Sequence, residues 1–284
     1  MMSDEPSHFL DASVVRPMLL GSYAYQQYFQ SQFQKAQCSV SPYVLMEVHR
    51  SYLRNLIEFY FTLKLPQILT LGDALAYWSN RFQGSKHKAI QQMMAQLLDR
   101  SADSPDIFQD KRSVLIAIEL LIQSFVTSLH SHFVNTGHDS TDCTRAKITL
   151  NVEAEDFAAE LFRFAETFDD VEQCRQHCRI DEFLLQDRRA EATTYTQQKD
   201  SLPKNSQSRG FIKIADALQQ ILEQGADVCS CKRCERIGDA VIALDAPREM
   251  QLDHTDHSFD YLCPPLGQLH QKHPSEVEVI TRGL

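Results

Sequence analysis

The stretch Phe9-Leu10-Asp11-Ala12-Ser13-Val14-Val15 is a short apolar run broken by a single carboxylate, and its reading decides the fold. Such a run suits a first β-strand whose C-terminal end presents the acid, with Arg16-Pro17 closing it. Working outward, Ser41-Pro42 reads as an N-cap with proline at the first helical position. Val44, Val48, Tyr52, Leu56 and Tyr60 follow at helical spacing, with Glu47 inside that helix. Residues 72–82, 89–98, 111–133 and 154–168 each carry apolar positions three or four apart, with polar, turn-like stretches at 101–105 and 136–142 between them. A helix over 211–223, a cysteine-rich knuckle at 229–234, an apolar segment at 238–244 and a strand-and-loop passage at 249–266 complete the pattern, and the chain beyond Lys272 reads as a tail. Short strands at both ends with helices between them predict an α/β fold interrupted by a large, mostly helical insertion.

The boundaries follow from composition. Residues 1–65 and 209–284 form the two parts of the α/β domain, 66–186 the helical insertion, and 187–208, polar and almost without aliphatic residues, a linker or surface loop. With 284 residues, 43% of them apolar, the chain can bury a sizeable core. Its 38 acidic against 28 basic residues give a formal charge of −10, so a phosphate-bearing partner must meet a local basic patch. The acidic, polar start lacks a basic segment followed by an apolar run, which predicts a cytoplasmic, reducing location in which clustered cysteines hold metal or do redox chemistry. The long apolar stretch 113–133 contains Glu119, Gln123, His130 and His132, costly in lipid, and reads as a buried helix with no membrane partner.

Four carboxylates sit beside small or apolar residues where a charge has no evident structural use: Asp11, Glu47, Asp239 and Asp256. Acids at strand ends and helix starts can converge on Mg²⁺ or Mn²⁺, hard cations that take oxygen ligands and keep waters for a phosphate substrate. Each acid also has an ordinary reading: a turn residue for Asp11, a helix-face pair with Arg50 for Glu47, a helix-dipole contact for Asp239, and for Asp256 competition from Asp253 and Asp260 as the fourth ligand.

The order of these pieces resembles the PIN-like nuclease family. Such proteins open with an apolar strand, an Asp and a small polar residue two places on, as in Leu10-Asp11-Ala12-Ser13. A helix like that of residues 41–47 delivers their second acid, here Glu47. Gly238-Asp239-Ala240-Val241-Ile242-Ala243 looks like their third acid opening a helix, and Thr255-Asp256-His257-Ser258-Phe259 is similar to their strand-end pattern. The resemblance covers roughly residues 9–63 and 209–270. It implies a Rossmann-like parallel sheet flanked by helices, acids meeting at the C-terminal strand edge, and metal-dependent cleavage of RNA or, as a second class, single-stranded DNA. Asp11, Glu47, Asp239 and Asp256 would hold the metal, with Ser13 hydrogen-bonding near it. The resemblance equally allows a silent, zinc-stabilised scaffold that binds a regulatory protein partner, or a toxin or defence effector restrained by one.

Cys174-x3-Cys178 and Cys229-x-Cys231-x2-Cys234 have the short spacings that close a tetrahedral Zn²⁺. Cys174, Cys178, Cys231 and Cys234 are the candidate structural set, with Cys229 or His177 as substitutes and packed, reduced thiols as the plain alternative. Lys232, Arg233 and Arg236 would place a basic edge just before Asp239, where a nucleic-acid backbone could be steered. Histidines 254, 257, 270 and 273 invite a metal reading, and His254 or His257 a proton-shuttle role, beside the plain reading as surface residues. No Gly-rich phosphate loop, nucleophile elbow or dinucleotide fingerprint is present, so nucleotide-driven work, serine hydrolysis and hydride transfer lack support.

Overall fold

A parallel sheet of short strands sets the frame. The computed structural model describes residues 7–34, 36–81, 90–91, 93–95, 97, 108, 110–135, 143–170, 172, 176, 178–203, 205–224 and 231–283. Strand β1 (His8–Leu10) lies between β2 (Cys38–Val40) and β4 (Gln251–His254). β3 (Val134–Asn135) adds to β2 and β5 (His270–Lys272) to β4, giving the order β3-β2-β1-β4-β5 with every pairing parallel. Phe9, Leu10, Val40 and Leu252 are buried, as strands covered on both faces require.

The chain leaves β1 sooner than its apolar pattern predicts. Asp11 adopts an extended conformation and its carboxylate accepts the Ser13 N–H, capping helix α1 (Ala12–Leu20). Ala12 to Val15 are therefore helical, and Pro17 lies inside α1 instead of ending a strand. Helix α2 (Tyr23–Gln32) then leads to β2.

Ser41 caps α3 (Pro42–Val48) and proline occupies its first turn. A π-helical segment, His49–Leu53, joins α3 to α4 (Arg54–Lys64). The stripe Val44, Val48, Tyr52, Leu56 and Tyr60 is buried throughout. Residues four apart drift about 40° per step on a regular helix; the wider turn absorbs an extra residue and brings the stripe back to the core.

Helix α5 (Leu71–Arg81) and α6 (Lys111–His132) follow. α6 is, among the described residues, the helix long and apolar enough to cross a membrane. Its Ile118, Leu121, Ile122, Phe125 and Leu129 are buried, and its Glu119 accepts a hydrogen bond from Tyr60 of α4. Because β3 falls just after α6 and pairs with β2, residues 66–186 contribute to the sheet and are not wholly an insertion outside it. Helix α7 (Phe157–Asp169) packs on α4.

The stretch 187–208 is not a linker. Ten of its residues form helix α8 (Arg189–Gln198), which packs against α9 (Arg209–Gln224). Ala192 and Tyr195 are its buried face, and the Tyr195 hydroxyl donates to the Leu262 carbonyl at 2.9 Å. Two well-placed side chains fix a helix whose composition is otherwise polar. Helix α10 (Cys231–Asp245) feeds β4, and α11 (Phe259–Leu262) follows it. The supposed tail is also folded: Ser275 and Glu278 form a capping box on α12 (Glu276–Arg282), which docks on α2 where the Ser22 N–H donates to Glu276 at 2.7 Å.

Replacing Tyr195 with Ala should cost about 3–5 kcal/mol, the range for emptying a buried aromatic site. Equilibrium denaturation measures this; an unchanged midpoint would restore the linker reading of residues 187–208.

Candidate active site

All strands point the same way, so their C-terminal ends meet at one edge. The strand order reverses between β1 and β4, since β1 continues to β2 on one side while β4 lies on the other. Chains leaving adjacent strand ends in different directions open a crevice there. Asp11 stands at the end of β1 and Asp256 two residues after the end of β4. The Ser13 hydroxyl accepts the Thr255 N–H at 3.0 Å and so ties the first turn of α1 to the β4 exit loop. It also hydrogen-bonds the Asp11 carboxylate.

Glu47 and Asp239 come from helices that cross close by. Where α10 passes α3, residue 238 is glycine, and the Glu47 carboxylate occupies the space that a Cβ there would take. Glycine in a helix interior costs about 1 kcal/mol relative to alanine, and the close approach accounts for it. Asp239 does not open a helix, as the motif had implied; α10 begins at Cys231, which places Asp239 well inside it. Tyr43 helps hold the crossing, its hydroxyl donating to the Cys234 carbonyl at 2.8 Å.

The fourth acid is anchored by a residue that the sequence left without a role. Asp256 Oδ1 accepts both the N–H of Ser258 at 2.9 Å and its hydroxyl at 2.8 Å, and the same hydroxyl contacts Asp239 Oδ2. The local signal was the Asp-x-Ser spacing, which favours such side-chain-closed turns. A serine hydroxyl carries one hydrogen, so Ser258 can donate fully to only one of the two carboxylates at a time.

The structure thus brings all four acids into one electrostatic cluster. Burial raises the proton affinity of Asp11. Glu47 is pushed up to about 8, first by burial and then by Asp11 and Asp239, with Arg50 and Arg16 opposing. Asp239 rises to about 7 through burial and the neighbouring Asp11 and Asp256, against the Ser258 hydrogen bond. The expected Glu47–Arg50 helix-face pair also forms, at 3.4 Å, without excluding Glu47 from the cluster. Arg16 was missed as a participant because its segment reads as the end of a strand. An all-oxygen donor set, with Arg16 and Arg50 the opposing cations among the described residues, suits a hard divalent ion.

Asp253 and Asp260, the other candidates for the fourth acid, lie elsewhere. Asp253 is fully buried and accepts hydrogen bonds from His8 Nδ1 and His273 Nε2, both at 2.7 Å. Burial pushes its proton affinity up, but those two bonds outweigh it and hold its carboxyl below the usual range. Asp260 contacts His257 at 3.1 Å and Lys272 at 3.3 Å. His254 is buried, and His273 belongs to the Asp253 network, so neither is the surface residue its type suggests.

Of the proposed thiol set, Cys174 lies outside the described residues, as do the substitutes Cys229 and His177, and only the backbone of Cys231 is described. Cys178 and Cys234 are half-buried, and Cys231 and Cys234 sit in the opening turns of α10 instead of a loop knuckle. The Lys232 side chain is likewise outside the described set; Arg233 is half-buried and Arg236 exposed, one helical turn before Asp239. Comparison of the chain with protein-family models, curated proteins and solved structures finds no match.

Two outcomes are expected. Carboxyls with raised folded-state pKa values keep protons that the unfolded chain has released, so stability without divalent ions should fall as pH rises from about 4 to about 8. Urea denaturation in chelator should show that slope, with Asp239→Asn flattening it and gaining stability at pH 8. Gly238→Ala should keep overall stability within about 1 kcal/mol, as its helix propensity gain offsets crowding, yet displace the Glu47 carboxylate; weaker Mn²⁺ binding by calorimetry would register it.

Proposed function

We propose that this chain is a metal-dependent phosphodiesterase of the PIN-like kind, with a Rossmann-like domain whose substrate is RNA. The observation that carries the reading is the gathering of Asp11, Glu47, Asp239 and Asp256 from four separate elements at the C-terminal edge of a parallel sheet, beside the point where strand order reverses.

These four carboxylates would hold Mg²⁺ or Mn²⁺. Bound there, the ion supplies an activated water and charge stabilisation for the phosphodiester. The chain's own residues prepare that site. Burial and mutual repulsion keep Glu47 and Asp239 partly protonated at neutral pH, so cation binding is coupled to proton release. Ser258 fixes Asp256 against Asp239, and Ser13 fixes the Asp11 turn against the loop that carries Asp256. Arg16 and Arg50 temper the acidic cluster, and with Arg236 on α10 they give a polyanion local positive charge despite the net charge of −10.

End-labelled single-stranded RNA and DNA, incubated with the protein and Mn²⁺ or chelator, test the reading. RNA should be cut only with the ion, and Asp11→Asn and Asp239→Asn should each lower the rate at least about 100-fold, the scale of losing one transition-state contact, with circular dichroism unchanged. Preferential cutting of DNA would reassign the substrate. An inert wild type that binds Mn²⁺ weakly would overturn the nuclease reading in favour of a scaffold that holds a protein partner.

A further inference from the structure

Next to the loop that carries Asp256, side chains from three elements turn donor atoms toward one another: His254 at the end of β4, Asp260 in α11 and His270 at the start of β5. One ligand-type atom from each lies within 4.8 Å of the other two. His254 Nε2 and His270 Nδ1 are 3.0 Å apart. Two nitrogens bound to one tetrahedral zinc at about 2.0–2.1 Å stand about 3.3 Å from each other, so the imidazole pair is within about 0.3 Å of that spacing. His254 is fully buried and packed on Phe259, with ring centres 4.9 Å apart, which fixes the inner ligand. Asp260 and His270 are partly exposed and form the outer side of the group.

We propose that His254, Asp260 and His270 form a binding site for Zn²⁺, with water in the fourth position. Two imidazoles and one carboxylate favour a borderline ion such as zinc over Mg²⁺, which prefers oxygen throughout. The site is separate from the four-acid cluster and from the cysteines. A cation already neighbours it: the Lys272 ammonium lies 3.3 Å from Asp260 Oδ2 and contacts His257. Lys272 is partly exposed on β5, and its ammonium moves into water when zinc takes over the carboxylate. Zinc there joins β4, α11 and β5. His254 precedes and Asp260 follows the turn that carries Asp256 and Ser258, so the ion clamps both ends of that turn.

The test uses the full chain stripped of metal by chelator, titrated with Zn²⁺, with Co²⁺ as a coloured probe. His270→Gln and Asp260→Asn should each weaken zinc binding at least about 100-fold, since even loss of a residue that only supports a ligand costs about 10–100-fold. Lys272→Gln should tighten it, whereas Asp239→Asn and Cys178→Ser should leave it unchanged. Bound Co²⁺ should show ligand-field bands without thiolate charge transfer. His270 and Asp260 reach the surface, so both variants should fold, as circular dichroism verifies. The proposal is overturned if the wild type takes up no zinc, if neither ligand substitution weakens binding, or if all uptake disappears in Cys178→Ser or Asp239→Asn.

Discussion

Like charges taken out of water together are the constraint on which the rest of this structure depends. A buried carboxylate is tolerated when it is neutralised, paired or coordinated. This chain contains two solutions side by side. Asp253 is matched by two imidazoles, and its hydrogen bonds outweigh its desolvation. Asp11, Glu47 and Asp239 repel one another, with Arg16 and Arg50 the opposing cations among the described residues, and their proton affinities rise. A fold that satisfies one buried acid so fully and leaves three others under-compensated nearby accords with the proposed cation at the cluster. That contrast within one molecule is a stronger argument for a cation at the cluster than acidity alone.

The sheet makes the cluster possible because parallel strands deliver their ends to the same edge. Asp11 is doubly determined: its N–H donates to the Asp253 carbonyl at 3.0 Å, continuing the β1–β4 pairing, while its carboxylate starts α1. Ser13 then binds the Thr255 amide, so the two loops that carry Asp11 and Asp256 cannot move independently. Glu47 and Asp239 arrive on helices that pass at Gly238, where the missing side chain leaves room for the Glu47 carboxylate. Three short-range devices, a cap, a latch and a missing side chain, thus position groups that are distant in sequence.

Much of this was legible because the signals were local. The apolar Phe9-Leu10 pair, the Ser41-Pro42 cap and the five-residue stripe after it have structures that neighbours in sequence can encode, and the structure bears them out. The exit from β1 was misplaced because Val14 and Val15 favour strands by type, whereas the capping carboxylate and burial of one helical face prevail. Residues 187–208 looked unstructured because composition averages over the segment. Burial of Tyr195 is a tertiary event that composition does not register. The start of α10 was hidden for a similar reason: its cysteines suggested a metal knuckle, while the helix continues through them to Asp239.

Alternation along β4 explains how such different ionic environments coexist within a few residues. Gln251 and Asp253 share one face of the strand, where Gln251 contacts Gln271 at 2.7 Å and His273 reaches Asp253. Leu252 and His254 take the other face, in register with His270 and Lys272 of β5. The matched carboxylate and the imidazole pair are therefore divided by the thickness of a single strand. A shift of one residue in the β4–β5 register would exchange the faces and place Asp253 beside Lys272. Deletion of one residue between them would put every ionisable partner on the wrong side. The pairing of two short strands, more than the identity of any one side chain, keeps these chemistries apart.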